Sequence, residues 1–307
     1  MLRYTFGRLA GMVPTLLVII TAAFFVMRLA PGGPFDEEQS LPPEVAANLE
    51  AAYGLDQPIA VQFRNYLAGL LRGDLGPSFR YKEFSVAELI RRGLPVTLTV
   101  GALALLFAVA TGVPLGIFAA LRHNGPSDHL VMAVALFGIA VPSFVLAPVL
   151  ALLFGVRLGW LPVAGWEPGN MRYMVLPVVT LGLPFVAYIA RLTRGSLLEV
   201  LQAPYIRTAR AKGLKGSAIL TRHALKPTLM PLLSFLGPAA AAMLTGSLVV
   251  EQVFGLPGVG RYFVQGAINR DYTLVMGMVI FYALLLLALN LLVDLLYGWL
   301  DPRIRHA

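Results

Sequence analysis

Apolar residues along this chain fall into six runs that contain no Asp, Glu, Lys or Arg: 9–27, 93–121, 129–156, 173–190, 227–250 and 272–293. At a rise of about 1.5 Å per residue, even the shortest covers roughly 27 Å, close to the thickness of a bilayer's hydrocarbon core. The pattern predicts an all-α membrane protein with six transmembrane helices.

Two polar segments interrupt these runs and carry helical patterns of their own. In 31–92, Pro42 and Pro43 suit a first turn, Glu44 favours the positive end of the dipole, and Gly54 ends the helix. A second helix starts at Pro58, presents Ile59, Phe63, Tyr66, Leu67 and Leu70 at helical spacing, and stops at Gly73. Ser85 and Glu88 make a capping box for a third, short helix that leads into the second span. The expected organisation is a first membrane helix over 1–30, a small helical extracytoplasmic insertion over 31–92, and a core of five membrane helices over 93–307. The insertion reads either as a cap beside a pathway or as a passive tether.

The other polar segment, 199–231, is basic and punctuated by glycine. Arg207, Arg210, Lys212, Lys215, Arg222 and Lys226 would each cost kilocalories at the bilayer centre, so this stretch belongs in water or at the membrane surface. Good helix formers from Ala203 to Lys212 meet Gly213, a stop where the chain can turn with positive φ. Ser217 can cap a second helix running to Lys226, before Pro227 opens the next apolar run. The expectation within 196–226 is helix, glycine elbow, helix. A basic amphipathic helix lying on anionic lipid has the same composition.

Composition agrees with a membrane protein: 58% of residues are hydrophobic, 13% are charged, and the mean hydropathy is +0.75. The net charge of +8 is unevenly spread. With the N-terminus inside, thirteen Lys and Arg face the cytoplasm against three acids, while the outer segments hold eleven against twelve. That asymmetry follows the positive-inside rule with both termini cytoplasmic, and it needs no nucleic acid to explain it. Without cysteine, disulfides and thiolate metal sites are excluded. Arg3 and Arg8 precede the first run as they would a signal peptide, but its length and the Arg-Leu-Ala-Pro-Gly-Gly that follows predict an uncleaved helix. His123, His129 and His223 are expected to be surface residues without the set of carboxylate or thiol partners that a metal site needs.

Gly112, Pro114, Gly116, Pro142 and Pro148 stand within the second and third runs. They suit helices shaped around a pathway, or close packing through small residues. After the fifth run, Glu251-Gln-Val-Phe-Gly-Leu-Pro-Gly-Val-Gly-Arg261 predicts a re-entrant or tightly turned outer loop with Glu251 and Arg261 as candidate partners. Asn290 and Asp294 lie four apart on one face of the last helix, where polar groups usually face protein or water. They are candidate pathway residues, read either as proton-coupling groups or as a fixed hydrogen-bonding or topology feature.

The words YIRTARAKGL (205–214) and RHALKPTLMP (222–231) resemble the cytoplasmic EAA loop of ABC-transporter permeases, in the version of the dipeptide, oligopeptide and nickel importers. The Glu-Ala-Ala itself is absent, and Arg207-Thr208-Ala209 stands nearby. The same subgroup is similar at 8–34, with Pro14 and with Pro31-Gly32-Gly33-Pro34 in place of Pro-Gly-Asp-Pro. It is similar again at GLDQPIAVQFRNYL and GDLGPSF, at 251–271, and from Asn290 to Arg305. The resemblance implies that Tyr205, Ile206, Arg207, Thr208, Ala209, Arg210, Ala211, Lys212, Gly213 and Leu214 form the element that docks on an ATP-hydrolysing subunit, with Gly213 as the loop's glycine. It places Glu251 and Arg261 near the outer end of the pathway. It further implies a homologous second permease subunit, two ATP-binding subunits and an extracytoplasmic substrate-binding protein in a bacterial or archaeal plasma membrane, importing di- or oligopeptides.

No nucleotide site is expected in this chain. A P-loop needs Gly before its Lys, whereas Lys82, Lys212, Lys215 and Lys226 follow Tyr81, Ala211, Leu214 and Leu225. HExxH and GxSxG motifs are also absent, so the chain is not expected to be an enzyme or to hold a cofactor; ATP and Mg would belong to the partner ATPases. The alternative is a gradient-driven secondary transporter, but an internal repeat of spans is not evident and carboxylates within the runs are nearly absent.

Overall fold

The computed structural model describes residues 2–29, 51, 54–81 and 83–300. The turn at Pro31 to Pro34, the start of the helix at Pro42 and the C-terminal Asp301, Arg303 and Arg305 lie outside the described residues. In chain order the helices are α1 (Leu2–Leu29), α2 (Ile59–Leu71), α3 (Val86–Leu121), α4 (Pro126–Ala140), α5 (Ser143–Leu150), α6 (Arg172–Leu201), α7 (Pro204–Ala211), α8 (Gly216–Ile219), α9 (Leu225–Val253), α10 (Val259–Ile268) and α11 (Tyr272–Leu300). Two π-helical stretches, Ala151–Arg157 and Leu220–Ala224, continue α5 and join α8 to α9.

Among the described residues, five helices are long and apolar enough to cross a membrane by themselves, and a sixth candidate crossing is α4 paired with α5 and its π continuation, bent by 104°. The run 129–156 is therefore not one straight helix. It breaks at Val141 and Pro142, both extended at ψ 116° and 145°. Proline's ring pushes the residue before it out of the helical region, and proline cannot donate the next helical bond. Pro14, Pro177, Pro184, Pro231 and Pro238 sit inside unbroken helices.

The helices form two compact units, Thr97–Leu256 with the chain from Ala288, and Leu2–Val96 with Pro257–Leu287. The first is built on glycine contacts. A Cβ on Gly112 would lie 2.8 Å from the Val186 carbonyl, and one on Gly116 would lie 2.5 Å from the Ala190 carbonyl. This Gly-x-x-x-Gly face lets α3 and α6 approach backbone to backbone. For these two glycines, close packing is what the structure shows.

The same contacts give direction. Gly182 meets Ala104 and Phe107, and Gly116 meets Ala190 and Thr193, so α3 and α6 run parallel. Gly101 meets Leu244, and Thr97 meets Glu251, so α9 runs antiparallel to α3. Asp128 binds Arg194 and Gly138 faces Leu183 and Ala187, so α4 is antiparallel to α6. The bent pair thus returns the chain between two parallel helices, as a full crossing must.

In the second unit, Ile20 and Phe24 of α1 pack with Met276 and Ile280 of α11, and Phe63, Tyr66, Leu67 and Leu70 of α2 cover them. Ile59, on the same helical pattern, is exposed. Gly54 and Gly73 take positive φ at the expected turns. Ser85 caps the N–H of Glu88 as expected, but the Glu88 carboxylate pairs with Arg92 at 2.9 Å and does not complete the box. The capped turn is also not a separate short helix, because α3 continues from it without interruption to Leu121.

Filling the α3–α6 contact should be costly. Gly116→Val is expected to destabilise the protein by about 1–3 kcal/mol, the usual cost of overpacking, whereas Gly11→Ala, within α1 and with nothing within 4 Å of the added carbon, does not destabilise it. Thermal unfolding in detergent checks both; a Gly116→Val protein as stable as wild type would contradict the backbone contact.

A candidate coupling site

The basic segment folds as an elbow. Helix α7 has Pro204 at its first position and ends at Lys212, where the Gly213 and Leu214 N–H groups return to the carbonyls of Arg210 (2.9 Å) and Ala209 (3.3 Å). This is a Schellman closure, and it requires a left-handed residue at Gly213, which has φ +77°. A Cβ there would meet nothing within 4 Å, so the glycine serves backbone conformation and not clearance.

The second arm differs from expectation. Its N-cap is Lys215 and not Ser217, whose carbonyl instead accepts the Thr221 hydroxyl at 2.9 Å. The helix also does not stop at Lys226, because the π stretch carries it straight into α9. Wider π turns just before Pro227 accommodate a ring that would collide with an α-helical carbonyl four residues back.

Burial divides α7 into two faces. Ile206 and Ala209, three apart, are buried against Ala120 at the end of α3, Leu197 near the end of α6, and Ile219 and Ala224 of the second arm. Tyr205, Arg207, Thr208, Arg210, Ala211, Lys212, Gly213 and Leu214 are exposed. The outward face therefore combines three cations with the apolar bodies of Tyr205 and Leu214, which are 47% and 40% exposed.

Close by in the same unit is a group that sequence reasoning missed. Asp128 is fully buried, and Arg194 holds it through two nitrogens at 2.6 and 2.7 Å. The Asn124 N–H donates to the same carboxylate at 2.9 Å. His123 Nδ1 lies 3.2 Å from the Arg194 guanidinium and 3.5 Å from Asp128, so this histidine has a carboxylate neighbour. Among the described residues no cluster suited to a metal forms. The pair lies 66 positions apart and left no local signal. It clamps the α3–α4 turn to α6, about two turns before that helix ends at Leu201.

The remaining sequence candidates do not gather with the elbow. Glu251 is fully buried in α9 and accepts the Thr97 hydroxyl at 2.7 Å. Arg261 is half-buried in α10, in the other unit. Between them the chain turns tightly, as expected, through Gly255 at φ +62°, and the turn gives way to a helix already at Val259, before Arg261. Asn290 is half-buried on α11, and Asp294 follows one turn later on the same helix.

Asp271, read only as part of a motif, is a buried hub. It accepts from the Ser78 hydroxyl (2.5 Å), the Arg80 N–H (3.1 Å) and the Leu274 N–H (3.0 Å), capping α11 while tying down 78–80. An Asp directly before an apolar run is an N-cap signal that could have revealed it. Beside it the Tyr81 hydroxyl bonds Gln265, and burial together with neighbouring Tyr262 pushes the phenol's pKa up.

Comparisons with known proteins give one consistent result. Residues 112–306 match the family described as binding-protein-dependent transport system inner membrane component, and residues 1–101 match the N-terminal region of such membrane components. The chain is 50% identical over 306 residues to the oligopeptide transport system permease protein OppB of Haemophilus influenzae and to that of Escherichia coli K12, covering 100% of both chains in each case. It is 45% identical to the dipeptide transport system permease protein DppB of Bacillus subtilis, covering 99% of this chain and 98% of that one. In fold it is similar to a MetNI methionine ABC transporter chain in an inward-facing conformation, with a TM-score of 0.57 at 19% identity over 69% of this chain and 96% of that one.

The Asp128 clamp makes a stability prediction. Arg194→Ala removes the charge-assisted bonds to Asp128 and is expected to cost about 1.5–3 kcal/mol, while Asp128→Asn with Arg194→Gln recovers most of that loss. Thermal melts of the three proteins decide it; equal melting of Arg194→Ala and wild type would show that the pair contributes nothing.

Proposed function

We propose, for a chain that belongs to the family of binding-protein-dependent transport system inner membrane components, that it forms part of the pathway of an ATP-driven importer of di- or oligopeptides and is driven through the α7–Gly213–α8 elbow. The observation that carries the coupling role is the two-sided burial of α7. Its apolar pair is used against the ends of α3 and α6, and its basic face with Tyr205 and Leu214 is left open. A helix resting on lipid would turn its apolar side outward, so the lipid-surface reading accounts poorly for this orientation.

The importer would contain a homologous second permease, two ATP-binding subunits holding ATP and Mg, and an extracytoplasmic binding protein. Closure of the ATPase pair on the elbow would move α6 and α9 together, because α7 follows α6 within three residues and α8 runs into α9. Both termini and the elbow would lie in the cytoplasm, where the excess of Lys and Arg belongs. Under this topology 31–92 and α10 face outward, where the Asp271 hub would hold Ser78 and Arg80 against the start of α11. Peptide as substrate is supported by the oligopeptide and dipeptide permeases that this chain resembles at 45–50% identity.

Gly213→Val tests the elbow. With free space around the added side chain, the fold should survive, while a left-handed β-branched residue carries strain of roughly 1–3 kcal/mol. Uptake of labelled peptide by the assembled complex is expected to fall roughly 5- to 100-fold while ATP hydrolysis persists. Wild-type uptake by a variant that still co-purifies with its ATPases would contradict the role.

A further inference from the structure

Along α6, Tyr188, Arg191, Leu192, Gly195, Ser196 and Glu199 recur at helical spacing on one face. With Pro231 and Phe235 of α9 they line an open groove of about 440 Å³, a size suited to small-molecule ligands. The groove's apolar end is aromatic, with the Tyr188 and Phe235 rings 6.0 Å apart and the Arg191 guanidinium 5.8 Å from the Tyr188 ring. Its floor at Gly195 is open, because a Cβ there would meet nothing within 4 Å. The Ser196 hydroxyl donates to the Thr228 carbonyl at 3.1 Å and ties the two helices together below it.

Arg191 and Glu199 are both exposed in this groove, and among the described residues neither has an ion-pair partner. Eight residues separate them, about 12 Å along the helix, which is too far for them to neutralise one another. An extended peptide of three residues spans roughly 10–11 Å. The polarity also matches the helix: Glu199 stands in the last turn of α6, where the negative end of the dipole favours a cation.

We propose that this groove binds the two free ends of a short peptide, Arg191 taking the carboxylate and Glu199 the ammonium, with apolar side chains against Tyr188 and Phe235. The proposal rests on the peptide reading above and adds a site within the permease itself. The groove adjoins the elbow, since α6 ends at Leu201 and α7 begins at Pro204, so a bound peptide bears on the two helices that the elbow joins.

The test uses the assembled permease–ATPase complex prepared without its binding protein, titrated calorimetrically with Ala-Phe-Ala, its N-acetyl form and its C-terminal amide. The free tripeptide is expected to bind, and each block should weaken binding on the order of tenfold or more, the loss that a charge-assisted bond implies. Arg191→Gln should weaken the free peptide similarly and become indifferent to amidation, while Glu199→Gln becomes indifferent to acetylation. Both residues are exposed, and co-purification of the ATPases verifies assembly. No binding of the free peptide, binding indifferent to both blocks, or variants that discriminate like wild type would each overturn the site. Binding-protein-driven uptake of the same peptide by the wild-type complex is measured in parallel. Absence of uptake overturns the peptide reading itself, whereas uptake without end discrimination overturns the groove alone.

Discussion

Two small apolar contacts fix an eight-residue basic helix to the helices around it. Ile206 and Ala209 are the only buried side chains of α7, and they rest on Ala120, Leu197, Ile219 and Ala224. Without that burial the segment would be a soluble, strongly charged linker, since a helix this short is marginal in water alone. With it, the helix cannot shift without moving the ends of α3 and α6.

What lies behind the contact is stiff. The Gly112 and Gly116 approach sets α3 against α6 at backbone distance, and the Arg194–Asp128 clamp holds the α3–α4 turn to α6 close to the elbow. The second arm runs into α9 without a loop, so the elbow has two rigid arms and one hinge at Gly213. Closely packed elements of this kind move as bodies, as the proposed drive through the elbow requires.

Much of this was legible in the sequence because it depends on local chemistry. Charge-free runs of eighteen residues or more announce membrane helices, and Gly213 after a run of helix formers announces the elbow. The break at Pro142 was not legible, because Pro114, Pro148 and Pro177 pass through helices with the same local signal; tertiary surroundings decide which proline bends and which breaks. The second arm was misread at both ends, since Ser217 is a better cap by composition than Lys215 and Pro227 looks like a start. The clamp of Asp128 by Arg194 joins residues 66 positions apart, and helical periodicity carries no information over that distance. The groove between α6 and α9 likewise depends on which faces of two separate helices meet.

The central claim is that the exposed face of α7 is held by another protein on the cytoplasmic side. Photo-crosslinking from position 205, with a photoreactive phenylalanine analogue replacing Tyr205 in the intact complex in membranes, addresses it directly. The account predicts an adduct with the ATP-hydrolysing subunit whose yield changes with nucleotide. Adducts with lipid alone, or labelling of that position by an impermeant reagent added from outside, would contradict it.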